Sequence, residues 1–403
     1  MGLEDEVYKL SLKARQAIAG HTRRTPLDYS STFSRLAGFR VFLKYENLQK
    51  TGSFKVRGAL FKVSSVKDRA RGVVAASAGN HAQGVAYAAS VYGVEAVIVM
   101  PETASISKVE ATRGYGARVI LHGSIYDEAY RRALEIAEEE GFEFIHPFDD
   151  PHVIAGQATI AHEVLEDLDM PETIVVPVGG GGLISGIAVV AKRLRPGIRV
   201  IGVEPENAPK YKVSLREGRP VDVEVKPTIA DGLAVKRPGE TTFKIISRLV
   251  DDIVTVSEEE IAEALYMLLE RGKVLAEGAG AAPLAAVLSG KIDSQGDAVV
   301  IVSGGNIDLN MMYRVLLRGL SSKGRIASIS GYVPDTPGTL HRVTGVIARH
   351  RGNIIDVIHE RTDYRAPAWH TRIKIIVEVP SREALGEILR ELASMGYELG
   401  LEE

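Results

Sequence analysis

One lysine stands among small residues and an aromatic in Thr51-Gly52-Ser53-Phe54-Lys55-Val56-Arg57-Gly58-Ala59. Ser53 reads as an N-cap, and the apolar spacing over residues 54–66 predicts a helix with Lys55 in its first turn. The positive end of a helix dipole disfavours an ammonium, and partial burial lowers an amine pKa further. An amine held partly neutral is a nucleophile toward aldehydes. Taken alone, Lys55 would pass for an exposed residue on an ordinary helix, so the reading leans on three glycine-rich turns downstream.

The first of these is Val175-Val176-Pro177-Val178-Gly179-Gly180-Gly181-Gly182-Leu183, a strand, a tetraglycine turn and a helix start. Four glycines expose backbone N–H groups and permit positive φ, so the loop can wrap an anion that the following helix dipole also favours. A merely tight strand-to-helix turn needs one or two glycines, and phosphate binding is the direct inference. A dinucleotide site is the competing one, because Glu204 ends the next strand at the distance of a ribose-binding acid. These glycines lack the GxGxxG spacing, however, and a nicotinamide site leaves Lys55 without a task. The second turn is Ser77-Ala78-Gly79-Asn80-His81-Ala82-Gln83-Gly84, where free amides at a helix N-terminus form a carboxylate cradle and the Asn80 amide is placed to donate to a phenolate. In isolation, Asn80 and His81 would be capping residues. The third is Ser303-Gly304-Gly305-Asn306, which puts a hydroxyl at a strand's C-terminal end, where ligands of open α/β sheets gather.

An aldehyde-reactive lysine, a phosphate nest, a phenolate donor and a hydroxyl together describe a site for pyridoxal phosphate. The segments TGSFKVRGA, SAGNHAQG, VPVGGGGL and SGGN, with Thr228-Ile229-Ala230-Asp231-Gly232 and Glu277-Gly278-Ala279-Gly280-Ala281, resemble the fold-type II pyridoxal-phosphate family over about residues 10–320. The likeness is to its threonine/serine dehydratases and the related serine racemases. It implies a two-lobed, tryptophan synthase β-like catalytic module over residues 1–320, with a small lobe at about 46–148 inserted in a large one. By the same resemblance Lys55 carries the cofactor, Phe54 packs on its ring and Asn80 bonds the ring oxygen. Gly179, Gly180, Gly181, Gly182 and Leu183 hold the phosphate, and Ser303 faces the pyridine nitrogen. Ser77, Asn80 and His81 are the candidates for the substrate carboxylate. The tail, residues 325–403, resembles a single ACT regulatory domain, with Pro337-Gly338 matching its first turn and Asn353 following its first helix.

A serine hydroxyl, unlike an aspartate, does not keep the pyridine nitrogen protonated, so the ring is a weaker electron sink and loss of a β-substituent is favoured over transamination. The expected activity is dehydration of L-threonine, with L-serine slower, Lys55 acting as general base at Cα. A racemase or other pyridoxal-phosphate outcome, and a non-catalytic amino-acid sensor, stay open. The racemases that this chain resembles hold a divalent cation between the acid at Glu204 and another six residues later, where this chain has Lys210. No metal is expected there. Lys210 is read as a surface residue, the other reading being that its ammonium takes the cation's place.

These residues need a scaffold, and the pattern supplies strands alternating with helices. Strands are expected at 73–77, 96–100, 118–121, 142–145, 174–178, 200–203 and 298–302, with helices between them, which argues for right-handed crossovers around parallel sheets. Residues 206–255 read as irregular, and 321–325 as a linker. After it the order becomes β-α-β-β-α-β, the ferredoxin-like motif. A small amino acid such as isoleucine or valine is the expected effector of that tail, dimerisation of the enzyme being its other role.

The chain has 403 residues, enough for two or three domains at roughly 100–200 residues each. With 45% hydrophobic residues, 25% charged and a formal net charge of −3, it offers neither a basic stripe for nucleic acid nor a membrane segment. An acidic N-terminus without an apolar run points to a cytoplasmic enzyme, expected to be a homo-oligomer. The absence of cysteine removes disulfides, thiolate metal sites and cysteine nucleophiles together.

Overall fold

The computed structural model describes residues 2–402 and divides into two compact units, Met1–Asp308 and Leu309–Glu403. The first unit is built on two sheets. Its six-stranded sheet runs in the order Leu27–Tyr29, Val41–Tyr45, Ala298–Val302, Thr173–Pro177, Arg199–Pro205 and Asp252–Val256. Only the first of these pairings is antiparallel. A four-stranded parallel sheet, in the order Arg118–Leu121, Glu95–Met100, Gly72–Ala76 and Glu143–Phe144, comes from the stretch between the second and third chain segments of the large sheet. Central strands such as Gly72–Ala76, Thr173–Pro177 and Ala298–Val302 are buried along their whole length, because helices cover both faces of a parallel sheet. Their sequences accordingly read as unbroken Val/Ile/Ala runs instead of alternating ones.

Glycine sets how closely the helices between the sheets approach. A Cβ on Gly156 would lie 2.6 Å from the Arg57 carbonyl oxygen, and one on Gly84 would lie 3.2 Å from the Lys55 carbonyl carbon. The helix Lys55–Val66 therefore packs backbone to backbone against Pro151–Asp167 and Asn80–Tyr92. Beneath it Arg57, 1% exposed, donates to both oxygens of Glu46 at 2.8 Å and to Glu163 at 2.6 and 2.9 Å, while Lys44 reaches Glu163 at 2.7 Å. The paired carboxylates hold the guanidinium pKa above its ordinary value in spite of burial. This cluster anchors the helix two residues after Lys55.

Three local expectations are corrected. Ser53 does not cap the helix. Phe54, already in helical φ/ψ, is the residue before Lys55, and the buried Ser53 hydroxyl has no hydrogen-bond partner among the described residues. The irregular stretch 206–255 contains helices Lys210–Glu217 and Glu240–Leu249, both short and set among Pro and Gly, so their periodicity is too brief to read. The assumed linker is also partly helical, since the helix from Leu309 runs through Ser322.

The second unit follows that helix with Ile326–Pro334, helix Thr339–Arg349, Asn353–Glu360, His370–Glu378, helix Arg382–Ser394 and Leu399–Leu401. Its antiparallel sheet has the order Asn353–Glu360, His370–Glu378, Ile326–Pro334, Leu399–Leu401, the ferredoxin-like topology. Among the described residues no helix is long and apolar enough to cross a membrane.

Candidate active site

All three glycine turns lie at the C-terminal ends of strands in the first unit, and one cavity of about 1240 Å³ takes in Lys55, Asn80, the tetraglycine loop and Ser303. Lys55 opens its helix, and its amine donates to the Pro147 carbonyl at 2.9 Å, over the Phe54 ring at 5.3 Å. Burial draws the amine pKa down to about 8, against the pull of Glu277. A sizeable neutral fraction at physiological pH makes it an effective nucleophile and base.

The loop Gly179–Gly182 passes between Phe148 and Gly232 with room for no side chain. A Cβ would lie 2.8 Å from the Gly232 carbonyl oxygen at Gly179 and 2.1 Å from the Phe148 ring at Gly180. Gly181 has φ of 91°, the left-handed region, and caps the helix Gly182–Leu194. The Gly180 carbonyl is drawn away from the cavity by the Tyr211 hydroxyl at 2.9 Å and the Thr242 hydroxyl at 3.0 Å. The amides of Gly179 through Leu183 donate to no group among the described residues, which leaves an anion nest at a helix N-terminus.

The second turn ends at Gly79, which precedes the helix Asn80–Tyr92. Ser77 accepts from the Gly79 amide at 3.1 Å, and the amides of Asn80, His81 and Ala82 find no partner among the described residues. His81 Nε2 bonds the Ile145 carbonyl at 2.8 Å, so that nitrogen carries the proton and Nδ1, buried and without a partner among the described residues, can only accept. Burial, and secondarily the nearby Lys55 charge, lower its pKa to about 3. A neutral imidazole in this tautomer offers no donor to a carboxylate. What His81 presents is its backbone amide.

Asn80 is held from both sides. Its Nδ2 donates to Glu277 Oε1 at 2.7 Å, and its Oδ1 accepts from Asn306 Nδ2 at 2.8 Å. Glu277, 6% exposed, precedes the helix Gly278–Leu288, and burial, with Asp231 adding to it, raises its pKa to about 7. Ser303 is buried in the wall beside them, its carbonyl accepting from the Phe54 amide at 3.0 Å and so tying the third turn to the Lys55 helix. Sequence reasoning gives Glu277 and Asn306 no role, although both stand in segments that carry the family resemblance. An acid set before a Gly-Ala-Gly helix start is the available signal for the first, whereas Asn306 has none beyond its place in the third turn. The regulatory candidates lie in the other unit: Gly338, with φ of 88°, precedes helix Thr339–Arg349, Pro337 is exposed beside it, and Asn353 begins the strand after that helix.

Pyridoxal phosphate fits these residues, since a buried amine of lowered pKa and a nest of unpartnered amides face one cavity, and both lack protein partners that a ligand would have to displace beyond the Pro147 carbonyl. Comparison with known proteins points the same way. The family model for pyridoxal-phosphate dependent enzymes matches residues 18–304, and that for the ACT domain matches 328–396. The chain is 50% identical to an L-threonine ammonia-lyase of Thermotoga maritima over 96% of this chain and 97% of that protein. It is 47% identical to one of Geobacter sulfurreducens over 97% and 98%. Among solved structures, a threonine deaminase from T.th. superposes with a TM-score of 0.71 at 46% identity, covering 74% of this chain and 98% of that one. Maize serine racemase superposes at 0.73 with 36% identity, covering 78% and 98%. With amine, nest and hydroxyl converging as they do on one cavity, the chain belongs to the family of pyridoxal-phosphate dependent enzymes and carries an ACT domain after its catalytic unit.

Proposed function

We propose that this enzyme is an L-threonine ammonia-lyase that converts L-threonine to 2-oxobutanoate and ammonia and treats L-serine more slowly. The observation that carries the reading is the Lys55 amine, drawn down to about 8 and placed in one cavity with the free amides of Gly179–Leu183. The reaction of relatives matched over nearly their whole length supports the choice of substrate.

Bound pyridoxal phosphate supplies the electron-accepting ring that makes the α-proton of an attached amino acid removable. The residues of this chain do the rest. Lys55 would hold the cofactor and, with its amine free, would take the substrate's Cα proton at Nζ. The amides of Gly179–Leu183 bind the phosphate, and those of Asn80, His81 and Ala82 bind the substrate carboxylate beside Ser77. Phe54 would pack against the ring, Asn80, held by Glu277 and Asn306, would donate to the ring oxygen, and Ser303 would face the ring nitrogen as a neutral hydroxyl. A neutral contact there would limit electron withdrawal, so that the proton taken from Cα and the β-hydroxyl would leave together as the elements of water in preference to the proton's return to Cα. The ACT domain, in this reading, binds a small amino acid near Pro337, Gly338 and Asn353 and alters the catalytic rate.

The experiment is to supply L-threonine and L-serine in turn and to measure 2-oxo acid, ammonia and D-amino acid in the same sample. Equal amounts of 2-oxobutanoate and ammonia, with threonine the better substrate by kcat/KM, are expected. D-Serine formed without 2-oxo acid would replace this reading with a racemase, the outcome to which the likeness to maize serine racemase points.

A further inference from the structure

The helix Lys210–Glu217 sends its first two side chains beneath the phosphate-binding loop. Lys210, expected on the surface, is completely buried. Its Nζ lies 2.6 Å from the Val178 carbonyl oxygen, 2.9 Å from Glu204 Oε1, 3.2 Å from the Leu233 carbonyl oxygen and 3.4 Å from that of Ala208. All four neighbours are acceptors, and a neutral amine would set its lone pair against one of them, so the geometry suits an ammonium. Burial lowers its pKa and Glu204 opposes the fall. Glu204 is itself completed by the amides of Tyr211 at 2.9 Å and Lys212 at 3.0 Å, at the start of the same helix.

These acceptors come from different segments that meet at the loop. Val178 immediately precedes Gly179, and Leu233 closes the turn Asp231–Leu233, whose Gly232 carbonyl lies against Gly179. The neighbouring Tyr211 holds the Gly180 carbonyl. In a trans peptide the carbonyl and the next N–H point opposite ways. Pulling the carbonyls of residues 178 and 180 toward the buried helix therefore turns the amides of Gly179 and Gly181 the other way, toward the anion.

We propose that Lys210 is a positioning residue whose ammonium serves as a built-in cation under the phosphate loop, and that the cage of Glu204 and three carbonyls binds a free monovalent cation once the side chain is cut back. The proposal rests on the tetraglycine loop holding the cofactor phosphate, and not on which amino acid the enzyme deaminates.

The test compares wild type, Lys210→Ala and Lys210→Met by titrating the apoenzymes with pyridoxal phosphate in choline chloride, then in potassium or ammonium chloride at equal ionic strength. Removing one partner of a buried ion pair leaves the other uncompensated, so both variants should bind at least about tenfold more weakly in choline. Potassium or ammonium should restore most of the affinity of Lys210→Ala, and should raise its melting temperature without cofactor, because the emptied cage can be refilled. Lys210→Met, with the volume occupied, should show no restoration, and wild type should be indifferent to the cation. Loss of affinity in Lys210→Ala that no cation repairs, or wild-type affinity in choline for either variant, overturns the proposal. If Lys210→Ala does not fold in any of the salts, an affinity of Lys210→Met within about twofold of wild type overturns it, and a loss of tenfold or more supports it. A wild type that binds pyridoxal phosphate yet leaves threonine untouched would sink the proposed reaction while leaving this inference intact.

Discussion

In the proposed reaction Lys55 serves twice, as the tether of the cofactor and as the base at Cα, and its burial beside the cavity, with a lowered amine pKa, suits both. Replacing it by alanine removes both tasks together, so Lys55→Ala should lose the visible absorbance of lysine-linked cofactor and fall by several orders of magnitude in kcat, roughly 10³-fold or more. Turnover retained within about tenfold would mean that another lysine does the work. The lowered pKa also predicts a pH dependence. Only the neutral amine attacks an aldehyde, so the rate at which apoenzyme captures pyridoxal phosphate should rise with pH, steepest below about 8 and levelling above it. An exposed lysine, with its ordinary pKa near 10.4, would still be gaining rate at pH 9, and stopped-flow absorbance across that range separates the two. His81 illustrates the opposite use of burial: it is fixed neutral, and no step near neutrality depends on its titration.

Among the elements, the loop before helix Gly182–Leu194 tolerates the least change. At Gly181 a Cβ would be placed 2.2 Å from the Tyr211 hydroxyl oxygen, on a backbone with φ of 91°. The left-handed conformation alone costs a non-glycine residue about 1–2 kcal/mol, before the clash is counted. Gly181→Ala should therefore weaken pyridoxal phosphate binding by about tenfold or more. Titration of the apoenzyme measures it, and unchanged affinity would show that this loop is not the phosphate site. The Lys55 helix answers to a different force. Arg57 is enclosed with Glu46 and Glu163, and Arg57→Ala would strand the fully buried Glu46 and leave Glu163 to Lys44 alone, at a cost of about 3–5 kcal/mol. Urea unfolding of the apoenzyme reads that loss directly, and a change below about 1 kcal/mol would mean that water or Lys44 compensates for the missing guanidinium.

For the whole molecule, the question is whether the ACT domain speaks to the catalytic unit. An effector changes rate only if it binds one activity state more tightly than another. Isoleucine or valine added to the full-length enzyme should shift the half-saturating threonine concentration or its cooperativity by roughly fivefold or more, in line with a coupling of about 1–3 kcal/mol. Calorimetry on the same preparation should detect binding of the responsible amino acid. Kinetics unaltered by either one, together with no heat of binding, would leave assembly as the better account of the domain.

Much of this molecule is legible in the sequence because its chemistry is written in contiguous segments. A strand followed by glycines and a helix start is a local arrangement, so Gly179–Leu183, the amides after Ser77 and the turn at Ser303 can be read from the order of residues alone. Lys55 is visible for the same reason, as is the change of pattern after residue 325 that marks the ferredoxin-like fold. Tertiary structure alone decides what depends on distant partners. Asn80, Glu277 and Asn306 lie far apart in the chain and share one hydrogen-bonded row, which spacing does not encode. The His81 tautomer is set by the carbonyl of Ile145, just past the strand that neighbours Gly72–Ala76 in the small sheet. Lys210 is the clearest case. Its sequence neighbours, Pro209 and Tyr211, give no hint of burial, and a charged side chain is expected in water until Val178, Glu204 and Leu233 are found around it. Local physics picks out groups that the fold brings to one cavity, while the long-range contacts that orient those groups exist only once the chain has folded.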